Sequence, residues 1–145
     1  MLEHEIQYRV RYADTDKMGY IYYGHYPRLY EIGRTELLRS LGMTYQTFED
    51  ELNVAMPVRA MNIRFVRSAY YDDLITIKTL VKHFSGSSII FRSEIFNEKG
   101  KLMNAGEVSL AFVDAKTMRG CPAPQQLVTI FDNSDSQDSS KSVNQ

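Results

Sequence analysis

Apolar and polar residues alternate from residue 4 to residue 12: Ile6, Tyr8, Val10 and Tyr12 face one way, Gln7, Arg9 and Arg11 the other. A period of two is that of a strand with one buried face. Asp14-Thr15-Asp16-Lys17-Met18-Gly19 breaks the pattern with residues whose side chains or free φ favour turns. From Tyr26 to Leu41 the period changes, because Tyr26, Leu29, Tyr30, Gly33, Leu37 and Leu41 recur at spacings of three and four. That stripe predicts a long helix with one apolar face. Pro27 suits its first turn and Gly42 its C-terminal cap. Gly33 lies inside the stripe at a propensity cost of roughly 1 kcal/mol, and a bare backbone there predicts close contact between helix and sheet.

Residues 44–51 predict a short helical turn capped by Thr44. Four alternating stretches follow, at about 58–66 (Met61, Ile63, Phe65), 74–83 (Ile75, Ile77, Val81), 88–96 (Ile89, Phe91, Ile95) and 102–113 (Val108, Leu110, Phe112). The joints Phe84-Ser85-Gly86-Ser87 and Asn97-Glu98-Lys99-Gly100 read as hairpin loops. The expected architecture is α+β: a strand, a long helix, then a meander of four antiparallel strands, with the helix on the concave face of a curved sheet. Its open edge strands invite pairing with a second copy. A short helix is expected at about 123–131, and the Ser-, Asp- and Asn-rich residues 132–145 read as a disordered tail.

Composition narrows the class. A chain of 145 residues, 43% hydrophobic and 24% charged, suits one globular domain. A net charge of -1 supplies no basic field for nucleic acid or an anionic membrane. No apolar run approaches the ~20 residues of a membrane span. The N-terminal Met1-Leu2-Glu3-His4-Glu5 lacks the basic and apolar regions of a signal peptide. Cys121, the only cysteine, can form no intrachain disulfide and reads as an ordinary thiol. The expectation is a cytoplasmic protein with no nucleic-acid partner and no membrane span.

The chemistry concentrates early in the chain. Seven of the ten tyrosines fall between Tyr8 and Tyr30, around the carboxylates of Asp14 and Asp16. These acids sit on a turn just ahead of a helix start, whose first N–H groups lack intrahelical acceptors and carry partial positive charge. Such amides stabilise a carboxylate and also polarise a carbonyl, the two needs of acyl-transfer chemistry. By spacing alone Asp16 reads more readily as a turn or cap residue than as a reacting group, and Asp14 as the residue that closes the turn.

The pattern D-x-D-x-x-G-x-x-Y/W-Y, here Asp14, Asp16, Gly19, Tyr22 and Tyr23, resembles that of the 4-hydroxybenzoyl-CoA thioesterase and related acyl-CoA thioester hydrolases of the hotdog superfamily. Tyr70-Tyr71-Asp72-Asp73-Leu74-Ile75-Thr76-Ile77 is similar to the D-D-x-L-x-I segment of the same family. The resemblance implies a single hotdog domain over residues 1–131, with a curved five-stranded sheet wrapped around one central helix. It implies a homodimer or dimer of dimers with active sites at subunit interfaces. It implies that Asp16 is the catalytic carboxylate, as nucleophile or as general base, and that the backbone N–H near Tyr23 polarises the thioester carbonyl. His25 is a candidate substrate contact, and Gly19, Tyr22, Arg64 and Arg67 are candidate substrate-binding residues. No metal and no cofactor are implied, since CoA or the phosphopantetheine of an acyl carrier protein is part of the substrate. Alternatives that stay open are an acyl carrier protein thioesterase, a hotdog 3-hydroxyacyl-thioester dehydratase suggested by His25-Tyr26-Pro27, and a non-catalytic acyl-binding protein.

Overall fold

Strand β1 (Glu3–Arg9) leads through the Asp14–Gly19 turns into helix α1 (Tyr26–Ser40). The chain continues through β2 (Val54–Ala55), β3 (Val58–Phe65), β4 (Leu74–Phe84), β5 (Ser88–Phe96), β6 (Leu102–Ala111) and β7 (Val113–Asp114) to helix α2 (Gln125–Val143). The structure, a computed structural model, describes residues 2–143, with side chains as far as Ser134.

Helix α1 forms where the apolar stripe predicts it, and Tyr26, Leu29, Tyr30, Gly33, Leu37 and Leu38 are all buried. It ends in a Schellman motif: Met43 N–H donates to Leu38 O (3.0 Å) and Gly42 N–H to Arg39 O (2.9 Å), with Gly42 at φ +82°. The alternating positions of the sheet face it. Ile75, Ile77 and Val81 of β4, Ile89, Phe91 and Ile95 of β5, and Val108 and Leu110 of β6 are buried beneath the helix stripe. Each such side chain contributes roughly 1.5–3 kcal/mol by leaving water. Gly33 is the point of closest approach, because a Cβ there would lie 2.3 Å from Thr79 Oγ1 and 3.0 Å from Ile77 Cγ2.

The five long strands are antiparallel in the order β1-β4-β5-β6-β3, which corrects the expected four-strand meander. Only β4, β5 and β6 are consecutive neighbours. β3 pairs with β6 at the far edge, Ile63 opposite Gly106 and Phe65 opposite Asn104. Alternation identifies a strand but carries no information about its partner. The connection 66–73 is too long for a tight hairpin and crosses the end of the sheet. Three strand spacings amount to about 14 Å, within reach of a segment that can extend to about 26 Å.

Three other expectations need correction. Met61 and Phe65, predicted on a buried face, are 37% and 56% exposed, because β3 is an edge strand that the helix does not cover. Tyr12 lies beyond the end of β1 in a short 3-10 turn and points to solvent. The C-terminal helix extends past the predicted 123–131, since no Pro or Gly interrupts residues 125–143. Its backbone thus runs into the stretch expected to be disordered, whose residues 144–145 lie outside the described residues. Phe131 of α2 stacks on Phe84 at 4.2 Å and seals the end of the β4–β5 hairpin.

Gly33→Ala should lower unfolding stability by about 1–3 kcal/mol through overpacking, despite the better helix propensity of alanine. Urea denaturation checks this, and Thr79→Ala in the same chain should restore part of the loss.

Candidate active site

The turn carrying the two acids is a small hairpin. Asp16 N–H donates to Tyr20 O (3.0 Å) and Gly19 N–H to Asp16 O (3.0 Å), while Thr15 and Ile21 form an antiparallel bridge. Gly19 sits at φ +84°, a conformation that disfavours side chains. The hairpin is held from outside by the crossover segment. Ile21 N–H donates to Ala69 O (2.8 Å), Tyr71 N–H donates to Gly19 O (3.0 Å), and Tyr20 bridges Tyr70. The segment is tied in turn to the end of β1, with Val10 N–H donating to Asp73 O and Asp72 N–H to Val10 O, both at 2.9 Å. The two motifs, fifty residues apart in sequence, therefore form one hydrogen-bonded unit.

Within that unit the two aspartates differ. Asp14 is 1% exposed. Its carboxylate accepts from Tyr8 OH (2.8 Å), from Arg11 N–H (2.8 Å) and from Arg28, which also donates to Tyr8 OH at 3.1 Å. It fastens strand, turn and helix together and has no face left for a ligand. Asp16 is partly exposed, and its Oδ1 accepts only from Met18 N–H at 2.8 Å. That bond orients the carboxylate and leaves the other oxygen free of protein partners among the described residues.

Tyr22 N–H donates to Asp14 O (2.9 Å), so the turn that opens the helix is set directly against the acidic hairpin. Tyr23–His25 form a 3-10 turn that runs into α1. His25 N–H donates to Tyr22 O, whereas the amides of Tyr23 and Gly24 have no acceptor among the described residues. Tyr23 also lines a cleft of about 320 Å³ whose walls are Tyr20, Ile21, Tyr26, Phe65, Val66, Arg67 and Ser68. Mostly apolar walls with a few polar groups are the ordinary make-up of a small-molecule site.

Of the predicted site residues, this cleft gathers Tyr23 and Arg67. Arg67 is anchored through Nη1 to Leu102 O (3.2 Å). Arg64 lies on the exposed edge strand and does not line the cleft. Asp16 and Gly19 are on the adjoining hairpin, and Tyr22 and His25 pack edge-on at 5.3 Å beside the helix start. Tyr12, Tyr22 and Tyr23 are exposed in the single chain; Tyr12 stacks on Tyr71 at 3.9 Å. Sequence reasoning missed Arg28 as the partner of Asp14, and Tyr20, Tyr26 and Phe65 as cleft walls. Tyr26 carried a signal only as part of the helix stripe. No group of three or more His, Cys, Asp or Glu suited to a metal ion occurs among the described residues, and no helix among them is long and apolar enough to cross a membrane.

A profile described as the thioesterase-like superfamily matches residues 10–131. The chain belongs to that superfamily. Among similar thioesterase-superfamily proteins is the acyl-CoA thioester hydrolase YbgC of Escherichia coli O6:H1, 35% identical over 123 residues, covering 85% of this chain and 91% of that one. The acyl-CoA thioesterase YbgC of Haemophilus influenzae is 33% identical, covering 85% of this chain and 90% of that one. A crystal structure of DHNA-CoA thioesterase from Staphylococcus aureus superposes with a TM-score of 0.86 at 27% identity, over 100% of this chain and 97% of that one. The five-stranded antiparallel sheet around one long helix is accordingly the hotdog fold of these thioesterases.

The two acids should separate in stability. Asp14→Ala, which orphans donors from three elements, should cost about 2 kcal/mol, whereas Asp16→Ala should cost less than about 1 kcal/mol. Urea unfolding of both variants measures the difference.

Proposed function

We propose that this protein hydrolyses acyl-CoA thioesters to the free acid and CoA, with Asp16 as the reacting carboxylate and the Tyr23 amide as the polarising donor. The observation that carries the reading is the pairing of an oriented carboxylate with unoccupied helix-opening amides on one hydrogen-bonded unit beside an apolar cleft. The curated relatives, named as acyl-CoA thioester hydrolases, support the substrate class.

The thioester carbonyl oxygen faces the Tyr23 N–H. Attack on the carbonyl carbon moves the π electrons onto oxygen, and the amide at the positive end of α1 stabilises that oxyanion. Collapse expels the CoA thiolate, which takes up a proton. Either Asp16 adds to the carbonyl and the resulting mixed anhydride is cleaved by water, or Asp16 removes a proton from the attacking water. Both routes need the carboxylate ionised and within reach of the acyl carbon. Both also spare Asp14, whose oxygens are already engaged.

The working form is a homodimer. β3 is an edge strand, and Val58, Met61, Phe65 and Val66 expose apolar surface along it. An exposed apolar edge is a pairing surface for another strand. Phe65 and Val66 belong to both this edge and the cleft, so a second copy docked on β3 closes the open side of the site.

Asp16→Asn should lower kcat for thiol release from acyl-CoA by about 10²–10⁴-fold with an unchanged circular dichroism spectrum. Undiminished turnover would remove Asp16 from the reaction. Met61→Lys, which places a charge on the edge, should shift the protein toward monomer in sedimentation analysis and reduce turnover with it. A monomeric wild type at full activity would overturn the dimer.

A further inference from the structure

Resting on the thioesterase reading, we infer that the Tyr26 hydroxyl is a specificity-determining group that selects acyl groups bearing an oxygen, hydroxyl or ketone, on the part that enters the cleft. Tyr26 is 3% exposed, packs edge-on against Phe65 at 5.6 Å and forms part of the cleft wall. Its hydroxyl has no protein partner among the described residues. The other enclosed tyrosines differ: Tyr8 OH donates to Asp14, Tyr30 OH donates to Asn104, and Tyr45 OH accepts from Arg34 Nε at 3.2 Å. Burial alone pushes the Tyr26 phenol upward, with no hydrogen bond or charge offsetting it.

Enclosed tyrosine hydroxyls ordinarily find a partner. Among the described residues the fully enclosed side-chain atoms without one are Arg34 Nη1, Thr79 Oγ1 and Asn104 Nδ2, and the Tyr26 oxygen is not one of them. It therefore opens on the cleft. Tyr30, one turn further along α1, has its hydroxyl already engaged by Asn104. Of the cleft's own tyrosines, Tyr20 donates its hydroxyl to Met18 Sδ at 2.8 Å and Tyr23 is largely exposed, which leaves Tyr26 as the enclosed phenol of the cleft with no protein partner among the described residues.

Position agrees with this role. Tyr26 follows Tyr23 by about one helical turn, roughly 5 Å along the axis, so a substrate with its carbonyl at the Tyr23 amide directs its acyl group past Tyr26. An unsubstituted acyl group filling the cleft expels water from the phenol and leaves it unpaired. An oxygenated acyl group replaces the water with a hydrogen bond. The asymmetry predicts discrimination of about 10- to 100-fold.

The test measures kcat/KM by thiol release for two matched pairs, benzoyl-CoA with its 4-hydroxy analogue and butanoyl-CoA with its 3-hydroxy analogue, using wild type and Tyr26→Phe. Wild type should favour the hydroxylated member of at least one pair by about 10-fold or more. The pair that responds distinguishes a ring from a chain substituent. Tyr26→Phe should keep its thermal midpoint and lose the preference, the kcat/KM ratio of hydroxylated to unsubstituted member falling to near one. Equal use of both members of both pairs by wild type, or a preference that survives in Tyr26→Phe, overturns the inference alone. No turnover of any of the four substrates overturns the thioesterase reading and this inference with it.

Discussion

One buried carboxylate holds the working end of the molecule together. Asp14 receives the hydroxyl of Tyr8 from β1, the amide of Arg11 from the turn and the guanidinium of Arg28 from α1. An ionised group that deep in the fold is tolerated only when its oxygens are met by donors, and the three donors come from the three elements whose relative placement matters. The Asp14 backbone takes part as well, since its carbonyl accepts from Tyr22 N–H where the chain turns into the helix. Strand end, acidic hairpin and helix start thus move as one body. The neighbouring Asp16 and the amide of Tyr23 inherit fixed positions without themselves being used as structural ties.

The same body is clamped from the opposite side by the crossover 66–73, and this explains a topology that looks wasteful. A β3–β4 hairpin would be the shorter connection. Sending β3 to the far edge instead draws Ala69, Tyr70 and Tyr71 across the end of the sheet, where they pair with Gly19–Ile21. The far edge also receives Phe65 and Val66, which form the outer wall of the cleft. One detour supplies both the brace behind the acidic hairpin and the apolar wall in front of the helix start. The close approach of α1 to β4 at Gly33 sets the depth of the helix in the sheet, and so the level at which its first turn meets that wall.

Much of this was legible in the sequence where local pattern alone decides. The change of period at Tyr26, the stripe through Leu37 and the glycine at 42 place α1 to within a residue, because helix periodicity and caps are properties of the segment itself. Strands β4, β5 and β6 were equally plain, since hairpin loops join them and neighbours in sequence are neighbours in space. β3 lies where its alternation placed it, at Val58–Phe65, but its pairing and its buried face were misread, because its partner is determined by the crossover and edge position exposes a face that alternation alone would assign to the core. The site was legible as a motif and not as a cleft. Asp16 and Tyr23 lie on one short stretch, but Phe65, Val66 and Arg67 reach it only through the sheet order. Arg28 could not be assigned to Asp14 in advance, because nothing in the spacing of a surface arginine on a helix says which turn it folds back upon.

The division of labour between two aspartates two residues apart follows from what each task demands of solvent. Asp14 is useful because it is dry: in a low-dielectric setting its hydrogen bonds are strong and its geometry does not relax. A reacting carboxylate needs the opposite. It must exchange bonds during the reaction, so it cannot be saturated by donors beforehand, and it must admit a thioester and, at some stage, water. Asp16 meets those terms with a single bond to Met18 N–H that aims it and an oxygen left open. Had the order been reversed, the first acid would have bridged β1 and α1 from an exposed position, where an ion pair contributes little, and the second would have been locked away from substrate. The spacing D-x-D is therefore a physical requirement as well as a signature. With Asp16 as the proposed reactant, it places a dry anchor and a wet carboxylate on one turn, and the anchor's rigidity is what allows the second acid to remain unsaturated.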